Sequence, residues 1–287
     1  MPERRVMEVK KMVLRILIII GASYVGLALY LYLFQAGYVY YPIEEIYASP
    51  GDAGLPFEDA ALTAEDGASI AGWYVPAENA RGTVLFCHGN GGNISHRLET
   101  LTVLNALRLN VLIFDYRSYG ASKGKLSEKG TYLDAEAAWR YVTEKKGEDP
   151  SRVVIFGRSL GGAIASWLAA THTPGLLIVE SAFTSMPDIA GVYYPYMPVR
   201  LLCRIRYPTI EYLAGAKCPV LVVHSPEDEM IPFRHGQRLF ETAPEPKEFM
   251  EIVGGHNDGF LITGGRYERG LEQFIDTHLP RQTEGGP

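Results

Sequence analysis

The sequence predicts an α/β fold: a mostly parallel, eight-stranded sheet with helices on both faces, a short cap, and one transmembrane helix ahead of the sheet. Three observations predict it. Apolar runs rich in β-branched residues recur along the chain with helical periodicity between them, the signature of a parallel sheet covered on both faces. One such run, Val153 to Phe156, passes through Gly157-Arg158-Ser159-Leu160-Gly161 into an alanine-rich helical stretch. That turn is too sharp for side chains on its flanks. Finally, Ile16 to Phe34 are nineteen uncharged, mostly apolar residues, which as a helix span roughly 28 Å, close to the hydrocarbon core of a bilayer.

The N-terminal segment, 1–15, carries Arg4, Arg5, Lys10, Lys11 and Arg15. After the 16–34 anchor no Lys or Arg occurs until Arg81, whereas Glu44, Glu45, Asp52, Glu58 and Asp59 do. This asymmetry predicts a single pass with a cytoplasmic N-terminus and the rest of the chain on the non-cytoplasmic side. A cleaved signal peptide fits less well, because Phe34-Gln35-Ala36 is a poor cleavage site. A buried core helix is disfavoured by apolarity all round and by the flanking charges. Tyr38, Tyr40 and Tyr41 suit the membrane interface on exit. Residues 35–56, punctuated by Pro42, Pro50, Gly51 and Gly54, read as a linker.

The globular domain is placed at 57–279, with a tail at 280–287. Strands are expected at 57–62 and 68–75, joined by the hairpin signal Asp66-Gly67. Further strands are expected at 83–87, 111–115, 153–156, 176–179, 220–224 and 249–253. Leu98, Leu101, Leu104 and Leu107 line one face of a helix between the third and fourth strands, and Ala135, Ala138, Tyr141 and Val142 do so between the fourth and fifth. In such sheets, ligands bind at the carboxyl ends of the strands. The chemistry is therefore sought there.

Composition sets limits first. With 287 residues, 47% of them hydrophobic, a sizeable core is available, and a net charge of −6 without a basic cluster in the globular part argues against a nucleic-acid partner. Cys87, Cys203 and Cys218 make neither a disulfide framework nor a metal spacing. Cys87 reads as a core residue, and Cys203 and Cys218 could pair only in an oxidising compartment.

Ser159 is the candidate nucleophile, forced out at the tip of the strand–turn–helix. A second Gly-x-Ser-x-Gly, Gly120 to Gly124, serves as a control. Ser122 lies beyond its nearest strand and is followed by the polar stretch Lys123 to Lys129, so it reads as loop. A serine hydroxyl needs a base. Of seven histidines, only His256 sits on a loop directly after the last strand, between Gly254-Gly255 and Asn257-Asp258. His96, His235 and His278 read as surface residues, His172 as a helix end, and His224 as a strand end where an acid is wanted. The base needs a carboxylate partner. Asp228, after the seventh strand, is the choice over its neighbours Glu227 and Glu229, with Glu180 a remoter option. Backbone amides of Asn90 and Leu160 are the expected oxyanion donors, the first from the glycine-rich His88-Gly89-Asn90-Gly91-Gly92 turn. No Lys-Ser/Thr follows that turn, which excludes a phosphate loop.

Ser159, Asp228 and His256 in that order, the His88-Gly89-Asn90 turn and Phe114-Asp115-Tyr116-Arg117-Ser118-Tyr119-Gly120 together resemble the α/β-hydrolase superfamily over roughly residues 38–279. With the N-terminal anchor, the chain is most similar to the membrane-anchored Bem46/ABHD13-type serine hydrolases. His224-Ser225 departs from the His-Gly often found there. The resemblance implies an esterase, lipase or thioesterase acting on an acyl or lipid substrate, with no cofactor and no metal. The cap, about 183–216, carries Tyr193, Tyr194 and Met197, which would line a substrate pocket, touch the bilayer, or simply pack the cap onto the domain. A peptidase on the same scaffold would need a group that anchors a peptide end. A non-catalytic binding protein would lack a triad member, and none is missing.

Overall fold

A computed structural model describes residues 2–279 of the chain; the expected tail, 280–287, lies outside the described residues. Eight strands form the main sheet: β1 (Glu58–Thr63), β2 (Ser69–Val75), β3 (Thr83–Cys87), β4 (Asn110–Phe114), β5 (Val153–Arg158), β6 (Leu176–Glu180), β7 (Val220–His224) and β8 (Lys247–Glu251). Their order across the sheet is β8-β7-β6-β5-β3-β4-β2-β1. β1 pairs antiparallel with β2, and β2 with β4. All other pairs are parallel. The Asp66-Gly67 hairpin forms as its sequence demands, with Gly67 at φ 84°.

The helices used below are α1 (Pro2–Leu33), α2 (Leu98–Ala106), α3 (Glu128–Arg140), α4 (Leu160–Thr171), α5 (Met186–Tyr193), α6 (Val199–Leu202), α7 (Thr209–Ala214), α8 (Arg234–Thr242), α9 (Gly259–Thr263) and α10 (Gly265–His278). Successive side chains of the central strands go to opposite faces. Leu85, Cys87, Ile155 and Val179 join a core with α3, α4, α7 and α8. Val84, Phe86, Val154 and Ile178 join a second core with α2 and α10. Full burial of each such aliphatic side chain contributes about 1.5–3 kcal/mol, so the unbroken apolar strands are what sandwich the sheet between helix layers. Leu101, Leu104 and Ala138 are buried on the helix faces their spacing predicted.

α1 is one continuous helix, long and apolar enough to cross a membrane. Four expectations change in the structure. Residues 35–56 are not a free linker: Val39 and Tyr40 are buried, Tyr41–Pro42 pair in parallel with Gly91–Gly92, and the Asn93 amide donates to the carbonyls of Ile43 (3.0 Å) and Glu45 (2.6 Å). Tyr40 therefore leaves the interfacial group, its hydroxyl 2.9 Å from that of Tyr207, while Tyr38 and Tyr41 stay exposed. Strand β8 starts and ends two residues early; beyond its end the Val253 amide turns to Thr263 Oγ1 (2.9 Å) instead of the sheet. His235 is buried rather than on the surface, its Nδ1 3.0 Å from Thr184 Oγ1. All three cysteines are free, Cys203 and Cys218 included.

Candidate active site

The strand register builds the site. Cys87 pairs with Gly157 on the adjacent β3 and β5, so the turns that follow the two strands meet, a Cβ built on Gly89 lying 3.5 Å from that of Ser159. β3 is also where successive connections diverge, to β4 on one side and β5 on the other, the place where open α/β sheets form a crevice. Asp228 and His256 follow the ends of the paired strands β7 and β8 at nearly equal spacing.

Ser159 sits between β5 and α4 at φ 55°, ψ −120°, a backbone conformation strained for any residue with a side chain. The surrounding packing holds it there. Its amide donates to the Glu180 carbonyl (2.9 Å), and Gly161 lets α4 approach so closely that an added Cβ would lie 1.9 Å from the Cys87 carbonyl oxygen. The hydroxyl is thereby presented at the N-terminus of a twelve-residue helix, whose dipole favours negative charge.

Three side chains then form a hydrogen-bonded chain. Ser159 Oγ lies 3.0 Å from His256 Nε2, and His256 Nδ1 lies 2.8 Å from Asp228 Oδ2. The other oxygen of Asp228 accepts from the amides of Met230 (2.9 Å) and Ile231 (2.7 Å). Burial works against the Asp228 charge, but the hydrogen bond and charge of His256, with the Ile231 amide and His224, hold its carboxyl below the usual range. An ionised Asp228 fixes Nδ1 as the protonated nitrogen and leaves Nε2 to accept from the serine. All three residues are shielded, with exposures of 9% for Ser159, 8% for His256 and 7% for Asp228.

The acids weighed against Asp228 have other partners. Glu227 accepts from the Gly254 amide (2.8 Å) and Glu229 from the His256 amide (3.0 Å). Ser225, where the resemblance leads one to expect glycine, donates to the Gly254 carbonyl (2.6 Å). The acid loop thus clasps the histidine loop, and Gly254, at φ 95°, takes the bend that only glycine adopts easily. Glu180 is bound by Arg158 and Tyr267 on the other face of the sheet. His224 donates from Nε2 to the Ile231 carbonyl (2.9 Å), and burial lowers its pKa. Ser122 is structural: its hydroxyl donates to the Asp115 carbonyl (2.8 Å) and accepts from the Ala71 amide (2.9 Å).

Asn90 and Leu160 border the same cavity as Ser159 and His256. Two tyrosines, not singled out as site residues from the sequence, hold the Asn90 loop. Tyr116 donates its hydroxyl to the His88 carbonyl (2.9 Å), and Tyr119 donates to the Asn90 carbonyl (2.7 Å). Burial raises both phenol pKa values and keeps them donors. Their signal was the Phe114–Gly120 motif, which carried the resemblance without revealing this role.

The cavity measures about 350 Å³ and its walls are largely apolar. Phe183, Met186, Ile189, Tyr193, Tyr194 and Met197 face it from the cap. Leu31, Gln35, Tyr38, Val39 and Tyr41 face it from the N-terminal segment. The cap is pinned to the acid loop by Tyr193, which donates to the Met230 carbonyl (2.9 Å). Among the described residues there is no group of three or more His, Cys, Asp or Glu side chains arranged to hold a metal ion.

Comparison with known proteins agrees with this architecture. A family model described as the alpha/beta hydrolase fold matches residues 82–187. The alpha/beta hydrolase domain-containing protein WAV2 of Arabidopsis thaliana is 34% identical over 289 residues, which cover 91% of this chain and 94% of that protein. An uncharacterised protein of Mycobacterium tuberculosis is 35% identical over 253 residues, covering 87% of this chain and 90% of that one. Among solved structures, the Pyrococcus furiosus esterase Pf2001 aligns with a TM-score of 0.70 and 19% identity, over 84% of this chain and 98% of that chain. At that identity the likeness is one of fold.

Proposed function

This chain belongs to the α/β-hydrolase family, and on that premise we propose that it is a membrane-anchored serine hydrolase of carboxylic ester or thioester bonds in an acyl substrate. The observation that carries the reading is the unbroken run from Ser159 Oγ to His256 (3.0 Å) to Asp228 (2.8 Å), opening on an apolar cavity.

His256 Nε2 takes the proton of Ser159 as Oγ attacks the substrate carbonyl. The resulting oxyanion is held by the amides of Leu160 and Asn90, a class of interaction in which each donor is worth roughly 100- to 1000-fold in rate. The imidazolium, steadied by Asp228, gives its proton to the departing alcohol or thiol. Water then repeats the sequence on the acyl-enzyme, releasing the acid and restoring the serine. Tyr193, Tyr194 and Met197 contact the acyl chain. α1 is the anchor, and the positive charges before it favour a cytoplasmic N-terminus with the catalytic domain on the opposite side.

The reading is tested with a panel of nitrophenyl esters of rising chain length, matched thioesters and peptide amides. Hydrolysis of esters or thioesters with an initial burst is expected, and cleavage confined to peptide amides would reject it in favour of a peptidase. Alkaline extraction should leave the full chain in the membrane pellet; release would reject the anchor.

A further inference from the structure

The membrane helix takes part in the wall of the catalytic cavity. Leu31, in the last turn of α1, and Gln35, just beyond it, face the same space as Ser159. A set of directed contacts builds this wall. Gln35 donates from Nε2 to the Leu202 carbonyl (2.6 Å), and its Oε1 accepts from the Arg204 amide (2.8 Å). The Arg204 guanidinium lies 4.6 Å from the centre of the Tyr32 ring. Farther down, the Tyr24 hydroxyl donates to the Tyr196 carbonyl (2.8 Å). From Tyr24 to Leu33 the helix rises about 14 Å, so the cap lies along nearly half of the expected 16–34 span.

That placement has a consequence for the cap. Tyr196 and Leu201 are 89% and 81% exposed, and Tyr196 lies beside an uncharged stretch of α1. Exposed apolar side chains beside a membrane helix have lipid, not water, as their natural solvent. The cavity lined by this segment and the cap is largely apolar as well, and Ser159, His256, Asn90 and Leu160 are among its lining residues.

We propose that the substrate is an ester of a bilayer lipid, whose acyl chain passes from the leaflet between α1 and the cap to reach Ser159, with the end of α1 as one wall of the acyl site. This rests on the serine-hydrolase and anchor readings above. The chemistry is the same: the ester C–O bond breaks, the lipid alcohol leaves with the proton from His256, and water releases the fatty acid. α1 is then part of the binding site as well as a tether. Gln35 acts as a positioning residue that fixes this wall against the cap.

The test uses the full chain reconstituted in phosphatidylcholine vesicles. A fluorophosphonate with a hexadecyl chain ending in an alkyl diazirine is added, the sample is irradiated, and adducts are mapped by mass spectrometry. Phosphonylated Ser159 with photoadducts on the peptide spanning Leu31 to Tyr41 is expected. Phosphonylated Ser159 with photoadducts only elsewhere would overturn lipid entry beside α1 and leave the hydrolase reading standing. A short ethyl fluorophosphonate separates the two failures: no labelling of Ser159 by either probe overturns both readings. In Leu31→Trp, the hexadecanoyl-to-butanoyl ratio of kcat/KM should fall by about fourfold for each methylene the indole excludes. An unchanged ratio in Leu31→Trp would overturn the wall.

Discussion

Gly161→Ala is expected to damage both stability and catalysis, and the structure gives the size of the effect. A Cβ there would sit 1.9 Å from the Cys87 carbonyl oxygen, 2.5 Å from the Cys87 carbonyl carbon and 2.6 Å from the His88 carbonyl oxygen. All three obstacles are backbone, so no rotamer change relieves them. α4 and the end of β3 must part by about 1.5 Å to reach an ordinary contact. Overpacking of this kind costs about 1–3 kcal/mol, and we expect the upper end. At about 2–4 °C per kcal/mol, Tm should fall by roughly 6–12 °C. The same movement separates the amide of Leu160 from that of Asn90, and a displacement of about 1 Å at a reacting centre costs about 100-fold. The assay pairs thermal unfolding with the rate of acylation by a nitrophenyl ester. Gly91→Ala is the control, since nothing lies within 4 Å of a Cβ built there. Wild-type Tm and acylation rate in Gly161→Ala, or an equal loss in Gly91→Ala, would refute the packing argument.

Asp228→Asn should lower kcat by about 10,000-fold while leaving the fold intact, because an amide at that position favours the wrong imidazole tautomer; a loss below tenfold would contradict its role. Tyr119→Phe removes the hydroxyl that holds the Asn90 carbonyl and should cost about 1 kcal/mol in stability. A drop of about tenfold in kcat should accompany it with little change in KM, and a pure KM effect would contradict a positioning role for Tyr119. Burial, with Arg234 adding to it, pushes the pKa of His235 down to about 4. The unfolded chain therefore takes up this proton first on acidification. The contribution of His235 to stability is intact above about pH 6.5 and lost as pH falls toward about 4, at up to 1.4 kcal/mol per pH unit. Urea unfolding of His235→Gln should show a flatter pH slope in this window, and an identical slope would contradict it.

The fold was legible because its rules are local and periodic. Apolar strands between helical repeats declare a parallel sheet, and all eight strands fall within two residues of their expected bounds. Ser159 and His256 were legible for the same reason: each follows a strand, and a sheet gathers its carboxyl ends. Asp228 required a choice among three consecutive acids; in the structure its carboxylate meets His256 Nδ1, whereas Glu227 and Glu229 accept from the amides of the histidine loop. What stayed hidden depends on long-range contacts with no periodic trace. Pro42 and the glycines of 35–56 suggested a linker, yet Tyr40 finds Tyr207 far along the chain. His235 stands on a polar-looking helix but meets Thr184 in the interior. The side chain of Gln35 finds the cap backbone in the same way. No spacing within the sequence announces such meetings.

The central claim is that Ser159, activated by His256, is a nucleophile, and covalent capture tests it most directly. Full-length protein treated with a fluorophosphonate and mapped by mass spectrometry should carry one phosphonyl group, on Ser159. That adduct should vanish in Ser159→Ala and form far more slowly in His256→Ala. Undiminished labelling of the Ser159→Ala protein would contradict the account.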